Sequence, residues 1–327
     1  MRVLVTGASG QLGGHVAALL ADRGDTVRAL VRRTSKRSHL AKLPNLEFFE
    51  AGLDQPELLN AAVAGVDAIV HAAGLVKARD FDEFFTVNVG GTSNLIEAAR
   101  LRGRELRRFV YVSSLEACGP SADGKPVPVV QESPVTAYGR SKLGAEKVVL
   151  AAKDVIPVVV LRPGAIYGPR DVEIFAAFQA IQRGLLPIVG GGNAKAVWIY
   201  GSDCAAACVR AIDADVPSGR VYFVDDGCGP LTQKQMLLDA ERALGKRALV
   251  HANLPVPAFM GVARALEIVG RISGKPVMLT REKANMLLRD WICSSDATRR
   301  ELDWTPTVPW KEGVARTVRW YRDNHWL

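Results

Sequence analysis

Short runs of apolar, mostly β-branched residues recur along the first two-thirds of the chain, and between them apolar positions return every three or four residues. The first pattern predicts strands over Arg2–Thr6, Thr26–Val31, Leu46–Glu50, Ala68–His71, Arg108–Ser113 and Ile156–Leu161. The second predicts helices near Leu12–Arg23, Pro56–Ala64, Phe81–Arg100 and Ala137–Lys153. Strands that alternate with helices build a parallel sheet covered on both faces, so the expected class is α/β with a doubly wound, Rossmann-type sheet. Beyond Gly168 the pattern loosens. Helical stretches near Val172–Arg183, Ser202–Asp213, Thr232–Leu244, Ala258–Ile272, Thr280–Asp290 and Lys311–Asn324 alternate there with extended pieces at Ala196–Tyr200 and Arg220–Val224.

Composition narrows the class. With 48% hydrophobic and 23% charged residues the chain has material for a large core, and disorder is excluded. No apolar run reaches the roughly 18 residues of a membrane span, and the chain opens on a strand-like MRVLVTG, so a cytoplasmic protein is expected. Cysteines 118, 204, 208, 228 and 293 lack C-x-x-C spacing, which supports neither a disulfide framework nor a metal site. The formal charge of +8 raises the question of a polyanion. Its clusters are Arg32-Arg33 with Lys36-Arg37, and Arg100, Arg102, Arg104, Arg107 and Arg108; neither carries a nucleic-acid-reading motif, and no nucleic-acid partner is expected.

The chemistry starts at Thr6-Gly7-Ala8-Ser9-Gly10-Gln11-Leu12-Gly13, which follows the first strand and opens the first helix. Glycines there permit a tight turn, close approach of a pyrophosphate and helix-on-strand packing, while the helix N-terminus offers free N–H groups to phosphate. Gly7, Ser9, Gly10, Gln11, Leu12 and Gly13 are therefore read as cofactor-binding, in a dinucleotide-binding domain over 1–170. A smaller substrate-binding region over 171–327 would return to the sheet near 196–226. An NAD-selecting fold carries an acid about 20 residues past the loop. Here the second strand runs into Val31-Arg32-Arg33-Thr34-Ser35 without a carboxylate, so NADP(H) is expected over NAD(H), with Arg32 on the 2′-phosphate. The bland alternative is a solvated loop in which Ser35 or a backbone group holds an unphosphorylated ribose.

Tyr138 and Lys142 stand four apart at the start of a helix, hence on one face, and an ammonium near a phenol favours its ionised form. With T-G-A-S-G-Q-L-G at 6–13, H-A-A-G at 71–74, N-V-G-G-T at 88–92, F-V-Y-V-S-S at 109–114, Y-G-R-S-K at 138–142 and L-R-P-G-A-I-Y-G-P at 161–169, the chain resembles the extended short-chain dehydrogenase/reductases. That resemblance implies a Ser114, Tyr138, Lys142 triad, with Ser113 as the alternative serine, and hydride transfer to or from a nicotinamide. Ser114 would polarise the substrate oxygen. Tyr138 would be the general acid/base, and Lys142 would hold the nicotinamide ribose and depress the tyrosine pKa. The resemblance also implies cofactor contacts from Ala72, Ala73, Gly74, Asn88, Pro163 and Gly164. Asn88 would be either a structural hydrogen-bonder or part of a proton relay, and His71 a packing residue.

Two departures shape the expected substrate. Gly52 stands where similar proteins place an aspartate on the adenine amine, leaving that role to backbone at Gly52-Leu53 or to Asp54. Ala196 and Val197 stand where sugar-nucleotide epimerases carry an Arg-Asp pair that binds a pyrophosphate. The pattern leans instead toward 3β-hydroxysteroid dehydrogenase-like and dihydroflavonol reductase-like members, and so toward a small apolar ketone or alcohol. The apolar stretch 254–272 would suit a lid, and peripheral contact with a membrane surface stays open, as does a homodimer through Phe81–Arg100 and Ala137–Lys153. The alternatives are an epimerase or dehydratase with tightly bound NAD, and a dinucleotide-binding redox sensor or scaffold.

Overall fold

The six apolar runs form strands β1 (Arg2–Thr6), β2 (Thr26–Val31), β3 (Leu46–Glu50), β4 (Ala68–His71), β5 (Arg108–Val112) and β6 (Val158–Pro163) in a computed structural model that describes residues 1–273, 277 and 279–327. The side chains of Arg104 and Arg271 lie outside the described residues. Further strands are β7 (Ala165–Tyr167), β8 (Leu185–Val189), β9 (Lys195–Ala196), β10 (Trp198–Tyr200), β11 (Arg220–Val224), β12 (Leu231–Thr232) and β13 (Val250–Leu254). The main sheet has seven strands in the order β11-β6-β5-β4-β1-β2-β3, all pairs parallel. The connections from β1 run outward in one direction and those from β4 in the other. The two strands are neighbours, so their C-terminal ends flank the crevice where doubly wound sheets bind ligands.

The helices are α1 (Gln11–Asp22), α2 (Pro56–Val63), α3 (Phe81–Phe84), α4 (Gly91–Arg100), α5 (Ala137–Leu150), α6 (Phe175–Gln182), α7 (Gly201–Asp213), α8 (Gln233–Leu244), α9 (Val256–Ser273), α10 (Arg281–Leu287), α11 (Asp296–Glu301) and α12 (Trp310–Asp323). Because successive strand residues face opposite sides, Val3 and Val5 pack with α1 and α7, whereas Leu4 and Ile69 pack with α2, α4 and α5. Cys204 and Cys208 are buried on the inner face of α7, in the first of these layers. A third core gathers Tyr167, Trp198, Trp310 and Tyr321 with residues of α6, α8 and α12, and holds the C-terminal part against β7 and β10.

Three differences from the sequence reading have local causes. β6 begins two residues late because Pro157 precedes it, and continues to Pro163 because the Arg162 side chain, only 3% exposed, is neutralised inside the fold by Glu146. The helix expected over Phe81–Arg100 contains a π-helical stretch, Phe85–Gly90, between α3 and α4. β10 pairs with β7 outside the main sheet, while β11 joins it beside β6.

Candidate functional site

At the switch point the phosphate loop rises from β1 into α1. Gly7 has φ +70, and a Cβ there would stand 2.8 Å from the Ala73 nitrogen; a Cβ on Gly13 would stand 2.2 Å from the Gly7 carbonyl oxygen. Both positions therefore exclude a side chain. Gly10 caps α1 without a side-chain bond, and the first backbone bond closing the turn runs from Gly14 N–H to its carbonyl. The N–H groups of Gln11 and Leu12 thus face out of the helix start, beside a half-buried Ser9. Narrow loop, open amides and the orphaned, buried Gln11 Nε2 fit the diphosphate of a dinucleotide.

The adenosine side is less tightly built. Arg32 and Arg33 are exposed past the end of β2 and have no ion pair among the described residues, whereas Arg37 is paired with Glu50 at 2.6 Å and lies over Phe48. The backbone N–H of Arg32 donates to Ser35 Oγ at 3.1 Å. After β3, the Gly52 N–H donates to Gln55 and the Leu53 carbonyl accepts from Asn94. The Asp54 carboxylate folds back so closely that a Cβ on Gly52 would sit 2.1 Å from it.

Next to the loop, β4 ends in a chain of hydrogen bonds. Thr92 Oγ1 donates to the Asn88 carbonyl at 2.6 Å, so it accepts from His71 Nε2 at 2.9 Å. His71 Nδ1 then accepts from Thr6 Oγ1 at 2.6 Å, and Thr6 Oγ1 accepts from the Ala73 N–H. Burial, reinforced by the Lys142 charge, holds the His71 pKa down at about 3, so the ring is neutral with its proton on Nε2. His71 is a packing residue, as the sequence suggests. Asn88 lies in the π-helical stretch, bonds both backbone groups of Leu75 and donates to Ser141 Oγ at 2.9 Å on α5. Ala72 and Ala73 form the thin turn against Gly7, and a Cβ on Gly74 would crowd Asn88 at 3.1 Å.

The residues expected to be catalytic lie at and beyond the end of β5. Ser114 lies near enough to the Tyr138 phenol to lower its pKa, and its oxygen accepts from the Glu116 N–H; Ser113 Oγ is buried without a partner. Thr136 caps α5 by accepting from Gly139 N–H, and its hydroxyl donates to Glu116 Oε2 at 2.7 Å. Lys142, one turn along α5, is buried, donates to the Val112 carbonyl at 2.6 Å and lies over the Tyr111 ring. Burial brings its pKa down to about 8, opposed by Glu146. The expectation that Lys142 depresses the phenol is not met. Burial pushes the Tyr138 pKa up, the Glu116 carboxylate adds to the rise, and Ser114 offsets part of it. The ammonium is turned instead onto the backbone of β5.

Ser114 and Glu116 open into a cavity of about 210 Å³. Pro163 and Gly164 form one wall; Leu231, Met236, Met286, Leu287 and Trp291 form apolar walls; Ala196 and Val197 line it directly. Of the 254–272 stretch, which could suit a lid, and α10, it is α10 that borders this cavity, through Met286 and Leu287. Glu282 accepts from the Ala137 N–H at 2.7 Å and from Arg140 at 2.9 Å, while Glu173 pairs with both Lys283 and Lys77. α9 packs behind α10 through Phe259 and Ala263, and its other side exposes Val262, Leu266, Val269 and Ile272. The sequence reading predicts a helix near Thr280–Asp290 but not the place of α10, or of Glu116, at the site. The signal for Glu116 was a carboxylate two residues beyond the serine; α10 carried none, because its contacts are remote in sequence.

The sequence profile of the NAD dependent epimerase/dehydratase family matches residues 3–224. The chain is 31% identical to a ceramide reductase of Caulobacter vibrioides, over 99% of this chain and 96% of that protein. It is likewise 31% identical to a 2-alkyl-3-oxoalkanoate reductase of Stenotrophomonas maltophilia, over 97% and 98%. Among solved structures, that of gox2253 superposes with a TM-score of 0.80 at 26% identity, covering 99% of this chain and 98% of that one.

Proposed function

The chain belongs to the NAD dependent epimerase/dehydratase family, and from that premise we propose that it is an NADP(H)-dependent oxidoreductase acting on the carbonyl or secondary alcohol of a small apolar substrate. The observation that carries this reading is the placement of Ser114 near the Tyr138 phenol and at the edge of a cavity with largely apolar walls. The two reductases named above support it, as does the pair Ala196-Val197, which gives a sugar diphosphate no bidentate partner. When bound, the nicotinamide supplies or accepts the hydride. Ser114 orients the substrate oxygen. The Tyr138 phenol, kept protonated by burial and Glu116, donates its proton to the carbonyl oxygen during reduction and takes it back in the reverse direction. Lys142 and Asn88 hold the ribose side of the site, and Pro163-Gly164 the carboxamide side. Oxidation of NADPH with apolar ketones, and not with sugar nucleotides, is the expected outcome of a substrate panel. An epimerase would show no net consumption of added NADPH, and that result would overturn the reading.

Two binding predictions follow from particular residues. Arg32→Ala should weaken NADPH by about 10- to 100-fold, the worth of a charge-assisted contact, while leaving NADH nearly unchanged; equal loss for both in a calorimetric titration rejects the 2′-phosphate role. Lys142 has a free-protein pKa near 8, and its charged form is the stronger donor to the ribose. Nucleotide affinity should therefore be level below about pH 7 and fall by about tenfold per pH unit above pH 8, until the pKa of the bound state is passed. A profile flat to pH 10 would show that the ammonium does not contribute.

A further inference from the structure

Arg170 is a half-buried arginine without an anion. It lies three residues past β7 at φ +68, a left-handed conformation that non-glycine residues rarely adopt. Its Nε is buried with no partner, Nη2 reaches only the Gln11 carbonyl at 3.4 Å, and it has no ion pair among the described residues. The groups around it are polar and neutral. Gln11 Nε2 and His15 Nε2 are also buried without partners, and His39 Nε2 is buried without a partner as well. A Cβ on Gly14 would lie 2.9 Å from Arg170 Nη2 and 3.0 Å from His39 Nε2, so this glycine admits both side chains onto the first turn of α1. His15 is held down at about 4 by burial and by the Arg170 and His39 charges, which leaves Arg170 as the one persistent charge of the cluster.

A guanidinium withdrawn from water needs a counter-charge. The segments that converge here say which one. His39 comes from the loop after β2, where the adenosine end of a dinucleotide lies; Gln11 comes from the phosphate loop; Arg170 follows β6 and β7, beyond Pro163-Gly164 at the nicotinamide end. Together they bracket the middle of the cofactor. We propose that Arg170, with the Gln11 carboxamide beside it, binds the cofactor's diphosphate and is the charged half of the site that α1 supplies with backbone N–H groups. This rests on the dinucleotide-binding reading and is independent of which substrate is reduced.

The test is calorimetric titration of the purified protein with NADPH, NADH, ADP-ribose and adenosine 2′-monophosphate. Arg170→Gln should weaken NADPH, NADH and ADP-ribose by one common factor of about 10- to 100-fold and leave adenosine 2′-monophosphate unchanged, since only the first three carry a diphosphate. Arg170→Lys should fall between, because an ammonium keeps the charge without the bidentate fork. Its thermal midpoint without nucleotide should match that of the parent. Loss confined to NADPH would assign Arg170 to the 2′-phosphate, and unchanged ADP-ribose affinity would remove it from the cofactor site; either overturns the proposal. If Arg170→Gln does not fold, the lysine variant decides: an equal loss for all four ligands with a lowered midpoint makes the residue structural. The Arg32→Ala pattern, NADPH alone, keeps failure of the NADP reading distinct from failure of this one.

Discussion

Tyr138→Phe should lower kcat for ketone reduction by about 10²- to 10⁴-fold, the range that a positioned acid/base contributes, with NADPH affinity close to that of the parent. The split follows from placement. The phenol lies near Ser114 at the cavity edge, while the ring side is held by Phe84 at 6.0 Å and by the capped start of α5, contacts that phenylalanine keeps. What is lost is one exchangeable proton. A phenol whose pKa is raised by burial and Glu116 is a poor base and a well-populated acid near neutral pH, so the loss should be greatest in the direction of reduction. Steady-state rates in both directions, with a nucleotide titration on the same preparation, check this; near-parental kcat would remove Tyr138 from the chemistry.

Glu146→Ala should cost about 3–5 kcal/mol of stability, more than any other single change considered above. Glu146 and Arg162 are nearly inaccessible, 1% and 3% exposed, and joined by two bonds, Nε to Oε1 at 2.8 Å and Nη2 to Oε2 at 2.5 Å. Arg162 also donates to Cys118 Sγ and to the Val129 carbonyl, so one guanidinium ties β6, α5 and the 118–130 loop together. Truncating the glutamate strands that charge, whereas Glu146→Ala combined with Arg162→Met should regain part of the loss because no buried charge remains. Denaturant midpoints of the two variants give the comparison. A second effect is electrostatic. Glu146 is the group that holds the Lys142 pKa up, so its removal should move the onset of weakened nucleotide binding to lower pH.

Much of this architecture is legible along the chain, and the parts that are not share a cause. β1, β2 and β4 have the bounds their apolar runs suggest, because a strand buried along most of its length writes that length as hydrophobic residues; β3, a half-exposed edge strand, keeps the expected bounds through its run Leu46-Glu47-Phe48-Phe49. β7, β8 and β13 were not foreseen: they lie in small two-stranded pairings, partly exposed, and their partners are remote in sequence. The π-helical stretch that carries Asn88 is invisible to a 3.6-residue pattern, since a local i→i+5 turn barely alters it. At the site, the glycine loop and the Ser114, Tyr138, Lys142 set could be read from motifs because each is local or one helical turn apart. The acidity of Tyr138 could not, because Glu116 enters through the fold, and neither could Arg170, whose neighbours come from two other segments, at residues 8–15 and at His39.

The hydrogen-bonded chain from Ala73 through Thr6, His71 and Thr92 to Asn88, and on to Ser141, runs from the glycine loop to α5. Every donor in it is already committed to an acceptor, and its only titratable member stays neutral down to about pH 3. The chain therefore transmits position and insulates charge: a shift of the loop is felt at α5, while protons moving at Tyr138 find no wire leading back toward the diphosphate.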